Sequence, residues 1–91
     1  LVLDVARCES RRGDRSIELT TREFDLLACL VRNVERVLTK DQILAHVWGY
    51  DSEARPNVVE LYIHYLRQKI DRGFGHQLIR TVRGVGYAIK P

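Results

Sequence analysis

The spacing of apolar residues shifts repeatedly along this 91-residue chain, and each shift marks an element. Residues 1–6, "LVLDVA", and 7–12, "RCESRR", read as two short strands, the first apolar and the second polar. Gly13 and Asp14 signal a turn, after which "RSIEL" at 15–19 resumes the strand pattern. The opening therefore predicts a small antiparallel sheet or meander.

From Thr20 the period lengthens. Phe24, Leu27, Ala28 and Val31 recur on one face of a helix. Thr20 is placed as its N-cap and Glu23, three residues on, completes a capping box, while Leu19 and Phe24 are spaced for a hydrophobic staple. Asn33 is the expected stop, and "RVL" at 36–38 a short extended link. The same grammar then returns. Thr39 and Gln42 form a second box, Leu38 and Ile43 a second staple, and Gly49 ends the second helix. Pro56 prepares the start of a third helix, "NVVELYIHYLRQKI", residues 57–70. There Val59, Ile63, Leu66 and Ile70 make a single apolar stripe. Asn57, which also suits an N-cap, lies on the far side with His64, Tyr65 and Gln68, and Arg67 and Lys69 lie at the flanks. A helix that only covered a core would more usually carry Glu and Lys pairs there. "RGFG" at 72–75 ends it; "QLIRTVR" at 77–83 and "YAIK" at 87–90 read as strands joined by "GVG" at 84–86, a tight hairpin. The predicted architecture is one α+β domain over residues 1–91: an N-terminal antiparallel sheet, three helices and a C-terminal β-hairpin.

Composition adds little to this, with 45% hydrophobic and 30% charged residues. No stretch approaches ~18 apolar residues, so no membrane span is expected. The chain lacks Met and begins inside a strand-like run, which suggests a piece of a longer protein. Cys8 and Cys29 show no metal-site spacing and read as reduced thiols of a cytosolic protein. Charge changes the picture more. Residues 1–56 carry nine Lys and Arg against ten Asp and Glu, whereas residues 57–91 carry six against two. The positive excess lies in the segment with the unusual third helix, which points to a polyanionic partner.

An enzyme is poorly supported. The serines have no His or acid in an evident relay, and His46, His64 and His76 are isolated from one another. Gly84 and Gly86 precede a strand, whereas a phosphate loop opens a helix. No catalytic residue, metal ligand or cofactor is expected. Nucleic acid fits better. A helix that enters the major groove needs one apolar side and, on the other, residues that reach bases and phosphates. Arg reaches guanine or phosphate, and Asn and Gln pair with adenine. The hairpin sets Thr81 and Arg83 beside a Gly-rich tip, so its backbone can approach DNA and Arg83 can lie at a minor groove.

Four motifs, "LTTREFDLLACL", "VLTKDQILAHVWGY", "NVVELYIHYLRQKID" and "IRTVRGVGYAIK", together resemble the winged-helix effector domain of OmpR/PhoB-type bacterial response regulators. The resemblance covers nearly the whole chain. It implies a four-stranded N-terminal sheet, three helices and a wing, with double-stranded promoter DNA as ligand, the third helix in the major groove, and transcriptional regulation in the bacterial cytoplasm as the role. It implies DNA contacts at Trp48, Asn57, Tyr62, His64, Tyr65, Arg67, Thr81, Arg83 and Tyr87. It further implies that Tyr50, Asp51, Ser52, Glu53, Ala54, Arg55 and Pro56 form a loop able to touch RNA polymerase. A preceding receiver domain, outside this chain, would answer to a sensor histidine kinase. The isolated domain is expected to be monomeric and to bind DNA as a tandem pair. Many relatives carry Arg at His64 and a basic residue at Ala88. The competing class is a winged helix that docks protein and not DNA, for which the acidic loop 50–56 would be the surface.

Overall fold

The computed structural model describes residues 1–4, 6–7, 9–49 and 54–90. Strands β1 (Val2–Asp4), β2 (Glu9–Arg12) and β3 (Arg15–Ile17) form an antiparallel meander in the order β1-β2-β3, with Leu3 opposite Ser10 and Ser10 opposite Ile17. Among the described residues the sheet has three strands, where the family resemblance implied four. Residues 1–17 supply strands of three or four residues each.

Helix α1 (Thr21–Arg32) starts at the predicted cap: Thr20 Oγ1 accepts from the Glu23 amide at 3.2 Å, and Glu23 Oε1 accepts from the Thr20 amide at 2.8 Å. Its buried surface is wider than the predicted stripe. Leu26, Cys29 and Leu30 are buried along with Phe24, Leu27 and Ala28, whereas Val31 is half-buried. The cause is position, since α1 packs against two other helices and the C-terminal hairpin. Helix α2 (Lys40–Trp48) starts at the second predicted box, Thr39 with Gln42. Helix α3 (Asn57–Ile70) lays Val59, Ile63, Leu66 and Ile70 into the core, none more than 1% exposed. Burial of each such side chain contributes about 1.5–3 kcal/mol.

The predicted link at 36–38 contains the start of a strand. Leu38 and Thr39 form β4, which pairs antiparallel with β6 (Gly86–Ile89), itself paired with β5 (Ile79–Val82) in the order β4-β6-β5. The hairpin turn is Arg83–Val85, one residue earlier than predicted, and the Val85 amide donates to Val82 O at 3.0 Å. Gly86 belongs to the strand because of β4. A Cβ there would lie 1.8 Å from Leu38 O, so only glycine lets the two strands approach.

Candidate nucleic-acid interface

Three of the residues opposite the apolar stripe of α3 are named in the predicted contact set: Asn57, His64 and Tyr65. All are exposed, as is Gln68, whose Nε2 lies 3.0 Å from His64 Nε2. Asn57 is the first helical residue and not the cap; Pro56 takes the cap position, with a helical φ of −54° and no side-chain hydrogen bond. Leu61 was missed. It sits one turn beyond Asn57 and one before Tyr65, at the centre of the outward face, and is 46% exposed. The signal was available: Leu61 is the apolar residue of this helix that falls farthest from the buried stripe.

On one flank, Tyr62 is half-buried and meets Trp48 edge to face, with centroids 5.3 Å apart, and Tyr65 likewise at 5.4 Å. Arg22 of α1 supports this group: its guanidinium lies over the Trp48 ring at 5.3 Å and donates to Val47 O at 2.8 Å. Arg22 stands far from the other site residues in sequence, and nothing local revealed its role.

On the other flank, Arg67 faces the hairpin. It donates through Nη2 to Thr81 Oγ1, and its Cζ lies 5.9 Å from the centre of the Tyr87 ring. Thr81 and Arg83 are exposed on the hairpin, whereas Tyr87 is buried in the core and meets the surface only where it lines a crevice. That crevice, about 510 Å³, runs between the hairpin and the N-terminal ends of α2 and α3, past Lys40, Pro56, Glu60, Thr81 and Arg83. Ala88 is 1% exposed on the central strand, so it does not belong to this surface.

The charges around the face are partly paired. Glu60 and Lys40 form an exposed ion pair, and the hydrogen bond that Lys40 donates to Glu60 raises the Lys40 ammonium above its ordinary 10.5. Lys69 turns away from the outward face to meet Glu23 of α1 at 2.6 Å. Burial pushes the Glu23 carboxyl up, but hydrogen bonds from Lys69 and Thr20 outweigh it and hold the group below its ordinary 4.5. In the predicted polymerase loop, Tyr50, Asp51, Ser52 and Glu53 lie outside the described residues; Ala54 is half-buried, and Arg55 and Pro56 are exposed. Among the described residues, no helix is long and apolar enough to cross a membrane, and no three His, Cys, Asp or Glu side chains group as metal ligands.

A short helix pair, α2 and α3, with a β-hairpin locked against the second helix, defines a winged-helix domain. Comparison with known proteins agrees. Residues 14–89 match the family described as "Transcriptional regulatory protein, C terminal". The chain is 55% identical over 82 residues to the uncharacterized transcriptional regulatory protein YkoG of Bacillus subtilis, covering 90% of this chain and 36% of that protein. It is 50% identical over 91 residues to the probable transcriptional regulatory protein TcrX of Mycobacterium tuberculosis, covering all of this chain and 38% of that protein. The DNA-binding domain of Klebsiella pneumoniae RstA, solved in complex with the RstA box, superposes with a TM-score of 0.82 at 29% identity, covering 98% of this chain and 89% of that one. The chain thus belongs to the OmpR/PhoB-type family of C-terminal DNA-binding domains, the output domains of two-component response regulators. It spans a little over a third of the length of the curated relatives it matches.

Proposed function

We propose that α3 enters the major groove of duplex promoter DNA and that the hairpin, the wing, meets the adjoining minor groove. The observation that carries this is the bond from Arg67 to Thr81, which fixes the wing beside the exposed face of α3. Asn57, Leu61, His64, Tyr65 and Gln68 then face the bases, with Tyr62 and Trp48 towards one backbone and Arg83 at the wing tip. Arg67 has a double role, holding the wing and adding positive charge near phosphate. Residues 50–56 are the surface for RNA polymerase. The longer protein, a cytoplasmic regulator, receives its signal from a sensor histidine kinase through a receiver domain. The isolated domain is monomeric, and two copies occupy tandem half-sites about one helical turn, ~10–10.5 bp, apart.

The test is selection of bound sequences from a random duplex pool, followed by titration across salt concentrations. Neutralising roughly four to six phosphates gives a log–log slope of about −4 to −5. A slope near zero with no enriched sequence would mean a domain that docks protein. Moving the half-sites apart by half a turn should abolish joint occupancy, and equal affinity at both spacings would rule out the tandem pair.

A further inference from the structure

Arg12 of β2 reaches out of the N-terminal sheet into the end of α3. Its side chain is 11% exposed. Nη1 donates to the carbonyl of Ile70, the last residue of α3, and to Asp71 Oδ1 at 3.2 Å, while Nη2 donates to His76 O at 2.6 Å. Its Cζ lies over the Phe74 ring, 4.5 Å from the centroid. One guanidinium thereby holds the helix end, the residue that caps it and the loop beyond. The planar fork of arginine suits this; a lysine ammonium cannot span the same acceptors in fixed directions. A cation at a helix C-terminus is also favoured by the helix dipole.

Asp71 continues the connection. Its side chain is 3% exposed, and a carboxylate so buried persists only when paired and hydrogen-bonded. Oδ1 accepts from the Leu78 amide at 2.9 Å and Oδ2 from the Ile79 amide at 3.1 Å. Ile79 opens β5, the first strand of the wing. Arg12 and Asp71 therefore sit at the joint between α3 and the wing, and the Arg67–Thr81 bond closes the other side of that joint.

We infer that Arg12 is a positioning residue for DNA binding: through Asp71 it sets the angle between α3 and the wing. The N-terminal sheet, which carries none of the proposed DNA contacts, then governs whether helix and wing engage one duplex together. This rests on the assignment of α3 and the wing to DNA. It differs from a role in packing, because the partners of Arg12 are polar groups and a loop ring, not the apolar core.

The experiment is a double-mutant cycle on the duplex selected from the random pool, with folding checked by thermal melts followed at Trp48. Arg12→Lys keeps the charge and loses the fork. In the parent chain, Arg83→Ala should weaken binding by ~5- to ~150-fold. In the Arg12→Lys chain the wing is no longer aimed, so adding Arg83→Ala should cost ~2-fold or less, the scatter of uncoupled changes. Asp71→Asn, close in shape to the native side chain, repeats the cycle from the other partner and should give the same result. Equal cost of Arg83→Ala in parent and variant backgrounds overturns the inference while leaving the wing a DNA contact. No cost of Arg83→Ala in the parent chain overturns the assignment of the wing to DNA, and the inference with it.

Discussion

Arg67 of α3 donates to Thr81 of β5 at 2.5 Å, so the residue with the longest cationic reach on this helix is engaged by the wing before any DNA arrives. The same Nη2 donates to Ile79 O at 3.3 Å. Replacing Thr81 by Val keeps the β-branched shape that a strand favours and removes the acceptor. The expected loss of stability is about 1 kcal/mol, the usual net worth of one hydrogen bond. DNA affinity should fall by up to ~10-fold, about 1.4 kcal/mol. Chemical unfolding and a fluorescence-anisotropy titration measure the two effects; no change in either would show that Arg67 does not restrain the wing.

Two glycines of the wing should respond unequally to one methyl group. Gly84, in the turn, has a φ of +74° and nothing within 4 Å of an added Cβ. Gly84→Ala should cost about 1 kcal/mol through backbone strain alone. Gly86→Ala drives a carbon into Leu38 O and should cost ~3 kcal/mol or more, because backbone and not a flexible side chain must give way. Comparable melting temperatures for the two variants would contradict the close approach of β4 and β6.

Glu23 predicts an acid limb in the stability curve. Its folded-state pKa lies below the ordinary 4.5 because hydrogen bonds from Lys69 and Thr20 overcome burial. A lowered carboxylate contributes stability that is present above the unfolded-state value and is lost as pH falls through the folded-state value. Glu23→Gln keeps an amide able to close the capping box and removes the charge. It should cost about 1 kcal/mol near neutrality, a modest figure because Lys69 is 38% exposed to water, and should flatten the decline below pH ~4.5. Urea unfolding of both chains across the acid range reads this out; parallel curves would show that the ion pair adds nothing.

His64 tests the register of α3. The side chain is exposed, so His64→Arg should leave stability within ~0.5 kcal/mol. A neutral imidazole offers one donor and one acceptor, whereas a guanidinium bonds guanine through two parallel donors. The variant should bind DNA more tightly overall and shift preference towards guanine at one position per half-site, worth about 1–3 kcal/mol of discrimination. Identical selected sequences for parent and variant would place His64 away from the bases.

The elements set by near neighbours were legible in the sequence. Thr20 with Glu23 and Thr39 with Gln42 define helix starts within four residues, and the stripe from Val59 to Ile70 defines a buried face within one helix. Features set by distant partners were not. Leu38 and Thr39 become a strand only because β6 comes beside them. Glu23 and Asp71 are buried carboxylates only because Lys69 and Arg12 reach them from other elements. Within the site, the outward positions of Asn57, His64 and Tyr65 followed from helical spacing. Leu61 was not named there, although its spacing from the stripe puts it on the same outward face, and the attachment of Arg67 to the wing required the fold.

The pairing of β4 with β6 joins two ends of a segment that contains both α2 and α3. Such a contact closes a long loop, whose entropy must be lost before the strand bonds can form. Prior formation of α2 and α3 shortens that loop, so docking of the wing onto Leu38 and Thr39 is expected late in folding. A mild weakening there, such as Thr81→Val, should accelerate unfolding and leave the refolding rate nearly unchanged. Stopped-flow measurements at Trp48 would show this as one displaced arm of the chevron, and a displaced refolding arm instead would place the wing in the nucleus.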